Sequence, residues 1–127
     1  MLSPEIQANN GLIAIFMGAK YHPPTWNILN KYSNAYEFRE SKIAFAPEQL
    51  LYNSNWGWLM SVVNKIEELL PNEESVLISG NTCKITPFIS VTAKTKFNAV
   101  YLAVTKYILH YDPQLNKINL HNQILIQ

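Results

Sequence analysis

Residues 75–86, Ser75-Val76-Leu77-Ile78-Ser79-Gly80-Asn81-Thr82-Cys83-Lys84-Ile85-Thr86, hold two β-prone runs around a Gly-Asn pair. A two-residue loop led by Gly matches the twist of paired strands, so the stretch reads as an antiparallel hairpin. Before it, Asn53 or Ser54 caps a helix whose apolar positions are Trp56, Leu59, Met60, Val63, Ile66 and Leu70. These fall three and four apart, which is one stripe facing a core, and Pro71-Asn72 stops the run. After the hairpin, Phe88 to Thr92 suits one more short strand. A last helix starts near Thr95, with Phe97, Val100, Tyr101, Val104, Tyr107, Ile108 and Tyr111 as its stripe, and Asp112-Pro113 ends it. Two amphipathic helices around a hairpin predict an α+β fold. Its helices pack on an antiparallel sheet, one of them across the sheet from the others, in an α-β-α sandwich-like arrangement.

Working outward, Ser3-Pro4-Glu5 has the layout of a helix start: an N-cap Ser, Pro at the first helical position and an acidic first turn. Ile6, Leu12, Ile13, Phe16 and Met17 continue at helical spacing, and Gly18 stands where a left-handed residue ends the helix. Gly11, inside it, costs about 1 kcal/mol of helix propensity. From Lys20 to Glu48 there is no sustained 3.6 period. Pro23-Pro24, Pro47 and the aromatics Tyr21, Trp26, Tyr32, Tyr36, Phe38 and Phe45 suggest short strands or ordered loops. The tail 114–127 carries Leu115, Ile118, Leu120, Ile124, Leu125 and Ile126 without periodicity and is a candidate for oligomer contacts. No repeat or linker divides the 127 residues, so residues 1–127 read as one domain.

Composition narrows the function classes. Charged residues are 15% and hydrophobic ones 48%, which excludes intrinsic disorder and supplies a core without staples. A net charge of +1 excludes the unspecific attraction to duplex nucleic acid that strongly basic proteins use. No apolar run reaches the roughly 18–20 residues of a membrane span. The N-terminus lacks the layout of a signal peptide, and a lone cysteine, Cys83, suits a reducing cytoplasm.

The reactive inventory is thin: one Cys, one Arg (Arg39), one Asp (Asp112) and three histidines, His22, His110 and His121, without metal-ligand spacing. Cys83 has no neighbouring base and reads as a structural thiol. Glu67-Glu68 and Glu73-Glu74 read as solvated charge. The expectation is a binding protein without cofactor or metal.

For binding, Thr92-Ala93-Lys94-Thr95-Lys96 offers two ammonium groups, hydroxyls and the unpaired N–H groups of a helix start, which together suit an anion. The competing reading is a solvated cap with surface lysines. Trp58 lies off the core stripe, open to either a subunit contact or base stacking. Phe16 either closes a core or faces a ligand.

Four stretches, LIAIFMG (Leu12–Gly18), YNSNWGWLMSVVNKIEEL (Tyr52–Leu69), LISGNTCKI (Leu77–Ile85) and KFNAVYLAVTKYI (Lys96–Ile108), carry a resemblance. Across about half the chain they resemble small phage and prophage proteins described as α-β-α sandwich domains, and through them the anti-Thoeris sponges. Sponges of that kind bind cyclic ADP-ribose isomers made by TIR-domain immune enzymes, and some bind cyclic oligonucleotides. They are symmetric oligomers that do not degrade their ligand. The resemblance implies a phage protein of the host-cell cytoplasm that sequesters a nucleotide second messenger, forms homodimers or multiples of them, and uses neither membrane nor duplex nucleic acid. The ligand site expected is Lys94, Thr95 and Lys96 for phosphates with Phe16 or Trp58 for a base. One departure is the single Arg, since Arg usually clamps phosphates. The alternative is a phage structural or protein-interaction module.

Overall fold

A computed structural model describes residues 3–24, 34–86 and 88–112. Its elements are α1 (Pro4–Phe16), β1 (Ala19–His22), β2 (Ala35–Phe38), β3 (Ile43–Phe45), a 3-10 turn at Pro47–Gln49, α2 (Trp56–Leu69), β4 (Val76–Ser79), β5 (Thr82–Ile85), β6 (Ile89–Thr92) and α3 (Lys96–Tyr111). The class is α+β, as expected, with antiparallel strands in two three-stranded sheets rather than one. The described residues fall into two compact units, divided between Leu50 and Leu51. Trp26, Tyr32, His121 and the tail 114–127 lie outside the described residues.

In the first unit, Ser3 Oγ accepts from the Ile6 N–H at 3.2 Å, and Pro4 opens α1 as its sequence predicts. Met17 ends the helix, its N–H reaching the Ile13 carbonyl at 2.9 Å. Leu12, Ile13, Ala14 and Phe16 are buried, each large one stabilising by about 1.5–3 kcal/mol. β1 pairs with β2 from Ala19↔Phe38 to His22↔Ala35, and β2 with β3 from Tyr36↔Phe45 to Phe38↔Ile43. Tyr36, 2% exposed, packs its ring 4.8 Å from Tyr21. Burial pushes its phenol well above the usual range, with Tyr21 adding to the shift. The buried Asn10 donates its side-chain amide to the Leu50 carbonyl at 3.3 Å.

The second unit is built on the hairpin. Its register is Ser79↔Thr82, Ile78↔Cys83, Leu77↔Lys84 and Val76↔Ile85. Gly80 has φ +56, the positive value that the first position of a type II′ turn demands. Ser75 and Thr86 extend the pairing: the Ser75 N–H donates to Thr86 Oγ1 at 2.9 Å and the Thr86 N–H to the Ser75 carbonyl at 3.2 Å. β6 joins through Cys83↔Val91 and Ile85↔Ile89. Cys83, Ile85 and Val91 alternate inward under α3, while Leu77, Ser79, Lys84, Ser90 and Thr92 face solvent. That alternation is the two-residue period of a half-buried sheet. α2 packs on α3 and touches β4.

The start of α2 differs from the sequence reading. Asn55, not Asn53 or Ser54, is the cap, its Oδ1 accepting from the Trp58 N–H at 3.1 Å. The Ser54 and Asn55 N–H groups are taken by the Leu51 carbonyl, at 3.1 and 2.9 Å, so the chain is still turning there. The buried stripe is therefore Leu59, Val62, Val63 and Ile66. Trp56, expected on it, is the first helical residue and 42% exposed. No helix among the described residues is long and apolar enough to cross a membrane.

Candidate functional site

The turn before α3 is fixed by the hairpin. The Asn81 side-chain amide donates to the Lys94 carbonyl at 3.1 Å, and the Ala93 N–H donates to the Asn81 carbonyl at 3.0 Å. The Thr82 and Thr92 hydroxyls meet at 2.8 Å on the adjoining strands. Thr95 Oγ1 accepts from the Asn98 N–H at 3.1 Å, and its carbonyl takes the first helical bond, from the Ala99 N–H, at 3.1 Å. Thr95 is thus the cap of α3. The N–H groups of Lys96 and Phe97 are left without an intrahelical acceptor, as in any helix start. Lys94 and Lys96 flank the cap, both exposed.

At the start of α3, Phe97 pairs with an aromatic side chain of α2. Trp56 lies edge-on to Phe97, with ring centroids 4.8 Å apart and planes at 70°. Phe97 is the second residue of α3, directly after Lys96 in the chain. Trp58 is half-buried, its ring edge-on to Tyr52 at 5.1 Å. Phe16 is 7% exposed in the core of the first unit. Lys94, Thr95 and Lys96 are together by chain adjacency alone. In the sequence, Trp56 and Phe97 both fall on the apolar stripes of their helices. Trp56 shares the helix face of Leu59 and Val63 and is exposed at the open end of that stripe.

A second feature of this unit is an apolar groove of about 250 Å³ between the end of α2, β5–β6 and the end of α3. Leu69, Ile85, Phe88 and Tyr111 line it, and Phe88 is 78% exposed. Tyr107 stacks on Tyr111 with centroids 5.8 Å apart and planes at 17°. Burial, then Tyr111 and Glu74, raises the Tyr107 phenol.

Cys83 is fully buried, and burial pushes its thiol up to about 11, which keeps it protonated at neutral pH. His22 pairs with Glu37 at 3.0 Å on neighbouring strands of the first sheet. Among the described residues, no three His, Cys, Asp or Glu side chains gather as metal ligands.

Compared with known protein families, curated proteins and solved structures, the chain matches none.

Proposed function

We propose that this protein is a non-catalytic binding protein that sequesters a nucleotide-derived second messenger at the start of α3. By the resemblance in its sequence, that messenger is a cyclic ADP-ribose isomer or a cyclic oligonucleotide. The role is that of a phage-type sponge, acting in the host-cell cytoplasm against anti-phage signalling. The observation that supports the reading is the pair of exposed lysines, Lys94 and Lys96, flanking the Thr95 cap of α3, a helix whose second residue, Phe97, meets the half-exposed ring of Trp56. A nucleotide presents a flat base and an anionic phosphate. The first seeks an aromatic face worth roughly 1–3 kcal/mol, the second a concentration of N–H donors and positive charge. Sequestration needs no reacting group, only tight binding and slow release.

The test is a thermal-shift screen with cyclic ADP-ribose isomers and cyclic oligonucleotides. A ligand at about 100 times its dissociation constant adds about 2.7 kcal/mol of stability. Heating the complex returns that ligand intact, whereas a cleaved product overturns the non-catalytic reading. Calorimetry on the Lys94→Ala/Lys96→Ala protein is expected to show at least tenfold weaker binding, about 1.4 kcal/mol. Unchanged affinity discards this site.

One observation favours a second reading, a protein-interaction module that also forms homodimers. Phe88, with Leu69 and Tyr111, leaves large apolar surface in water around the 250 Å³ groove, and such patches commonly mark contact surfaces. Light scattering that returns the monomer mass at every concentration, together with no response in the ligand screen, would leave a hetero-partner as the occupant.

A further inference from the structure

In the first unit, the strand register gathers three segments at one end of the sheet. Ala19↔Phe38 sets Met17 and Gly18, at the end of α1, beside the β2–β3 turn, and Phe38↔Ile43 closes that turn over residues 39–42. The Lys42 N–H donates to the Phe38 carbonyl at 2.7 Å, with Lys42 itself left-handed at φ +58. Between these segments opens a cleft of about 560 Å³. Its apolar wall is Met17, Phe38, Ile43 and Phe45, the two rings edge to face at 5.7 Å and 81°. Arg39, Glu40 and Ser41 form its polar side, and the Arg39 guanidinium makes no ion pair with another described residue.

We propose that this cleft is a second, independent binding site, for an amphiphilic organic monoanion. The volume falls within the roughly 300–1,000 Å³ of small-molecule sites, and an apolar wall with few polar groups is their usual make-up. Ile43, 52% exposed, and the Phe38–Phe45 pair receive a flat or branched apolar body. Arg39, the only arginine of the chain, supplies the planar fork that grips a carboxylate or sulfonate through two parallel hydrogen bonds. Charge selects for a single negative group. Arg39 and Lys42 bring two positive charges to the turn and Glu40 removes one, leaving too little to favour a polyphosphate. This chemistry is unlike that of the α3 start, and neither site depends on the other.

The test uses two fluorescent probes on the full chain: anilinonaphthalene sulfonate, and phenylnaphthylamine, which has the same aromatic body without the charge. The wild type is expected to bind the sulfonate at least tenfold more tightly. Arg39→Gln, an exposed turn position, lowers sulfonate affinity at least tenfold, leaves phenylnaphthylamine within twofold and keeps the melting temperature. Ile43→Asn weakens both probes. Lys94→Ala/Lys96→Ala changes neither, so failure of this site and failure of the α3 reading are told apart. Equal affinities for the two probes, no saturable binding, or an Arg39→Gln protein that binds the sulfonate as the wild type does would overturn the proposal.

Discussion

At Gly11 the helix gives up propensity to make room. A Cβ there would overlap the Tyr36 hydroxyl and lie 2.7 Å from Cζ and 3.2 Å from Cε1 of a ring that is 2% exposed. Gly11→Ala, which in an open helix gains about 1 kcal/mol, is therefore expected to destabilise this protein by about 1–3 kcal/mol through overpacking. A lowered urea midpoint checks it, and a raised one means the ring turns aside. Lys42 is the opposite case. It holds φ +58 without a glycine's freedom, a conformation that costs an L-residue roughly 1–2 kcal/mol. Lys42→Gly is expected to raise stability by up to about 1 kcal/mol, since glycine's larger unfolded entropy returns part of the relief. The sequence marks Gly11 only as a weak point in a helix. Its reason, Tyr36, lies on a strand with no local link to it.

At the scale of elements, punctuation decided what could be read. Ser3-Pro4, Gly80-Asn81 and Thr95 each combine a required backbone geometry with a side chain or ring that satisfies it, so α1, the hairpin and the start of α3 were legible. Asn53-Ser54-Asn55 supplies three caps in a row, and the pattern alone cannot choose among them. With Asn55 as the cap, Trp56 becomes the first helical residue and stays 42% exposed, at the end of the stripe where no further turn covers it. β1, β2 and β3 have four residues or fewer and pair across segments without alternation, so only "short strands" could be said of Lys20 to Glu48. The lysines at 94 and 96 were visible because adjacency needs no fold, whereas the Trp56–Phe97 pair depends on how two helices pack. Thr95 now has a structural task that its neighbours lack. Thr95→Ala is expected to cost about 1 kcal/mol and Thr95→Ser only a few tenths, measured by denaturant melts. Lys94→Ala, on an exposed bend, and Lys96→Ala, at the exposed first position of α3, leave the melt unchanged.

For the whole molecule, the second unit is one continuous stretch, Leu51–Tyr111, with its own buried residues from Tyr52 to Ile108. A fragment of that stretch is expected to retain a cooperative thermal transition by circular dichroism, at lower stability than the full chain because so short a chain buries a smaller fraction of its surface. A non-cooperative melt would show that residues beyond the stretch complete its core. Alkali bears on both units. Tyr36 in the first, and Tyr52 and Cys83 in the second, hold their protons more tightly folded than unfolded, through burial. The native state then binds more protons than the unfolded one at high pH, so stability falls as pH rises. For Cys83 the loss begins near the ordinary thiol value of 9.0 and runs through about 11. Each group contributes a slope of about 1.4 kcal/mol per pH unit within its window. Urea midpoints that stay flat from pH 7 to 10.5 would contradict this.

The position of Cys83 also makes the protein its own clock. The sequence has no second thiol, and this one sits inward on the central strand of the second sheet. A thiol reagent can reach it only when that sheet comes apart, so the labelling rate reports an opening event without any engineered probe. When reclosing is fast, the rate tracks the equilibrium between closed and open forms; when labelling outruns reclosing, it reads the opening rate directly. A ligand held at the start of α3 would slow that clock, and one held at Arg39 would leave it untouched if the two units open separately. The same tube of protein, sampled over time by mass spectrometry, would then say which of the two sites a bound molecule had chosen.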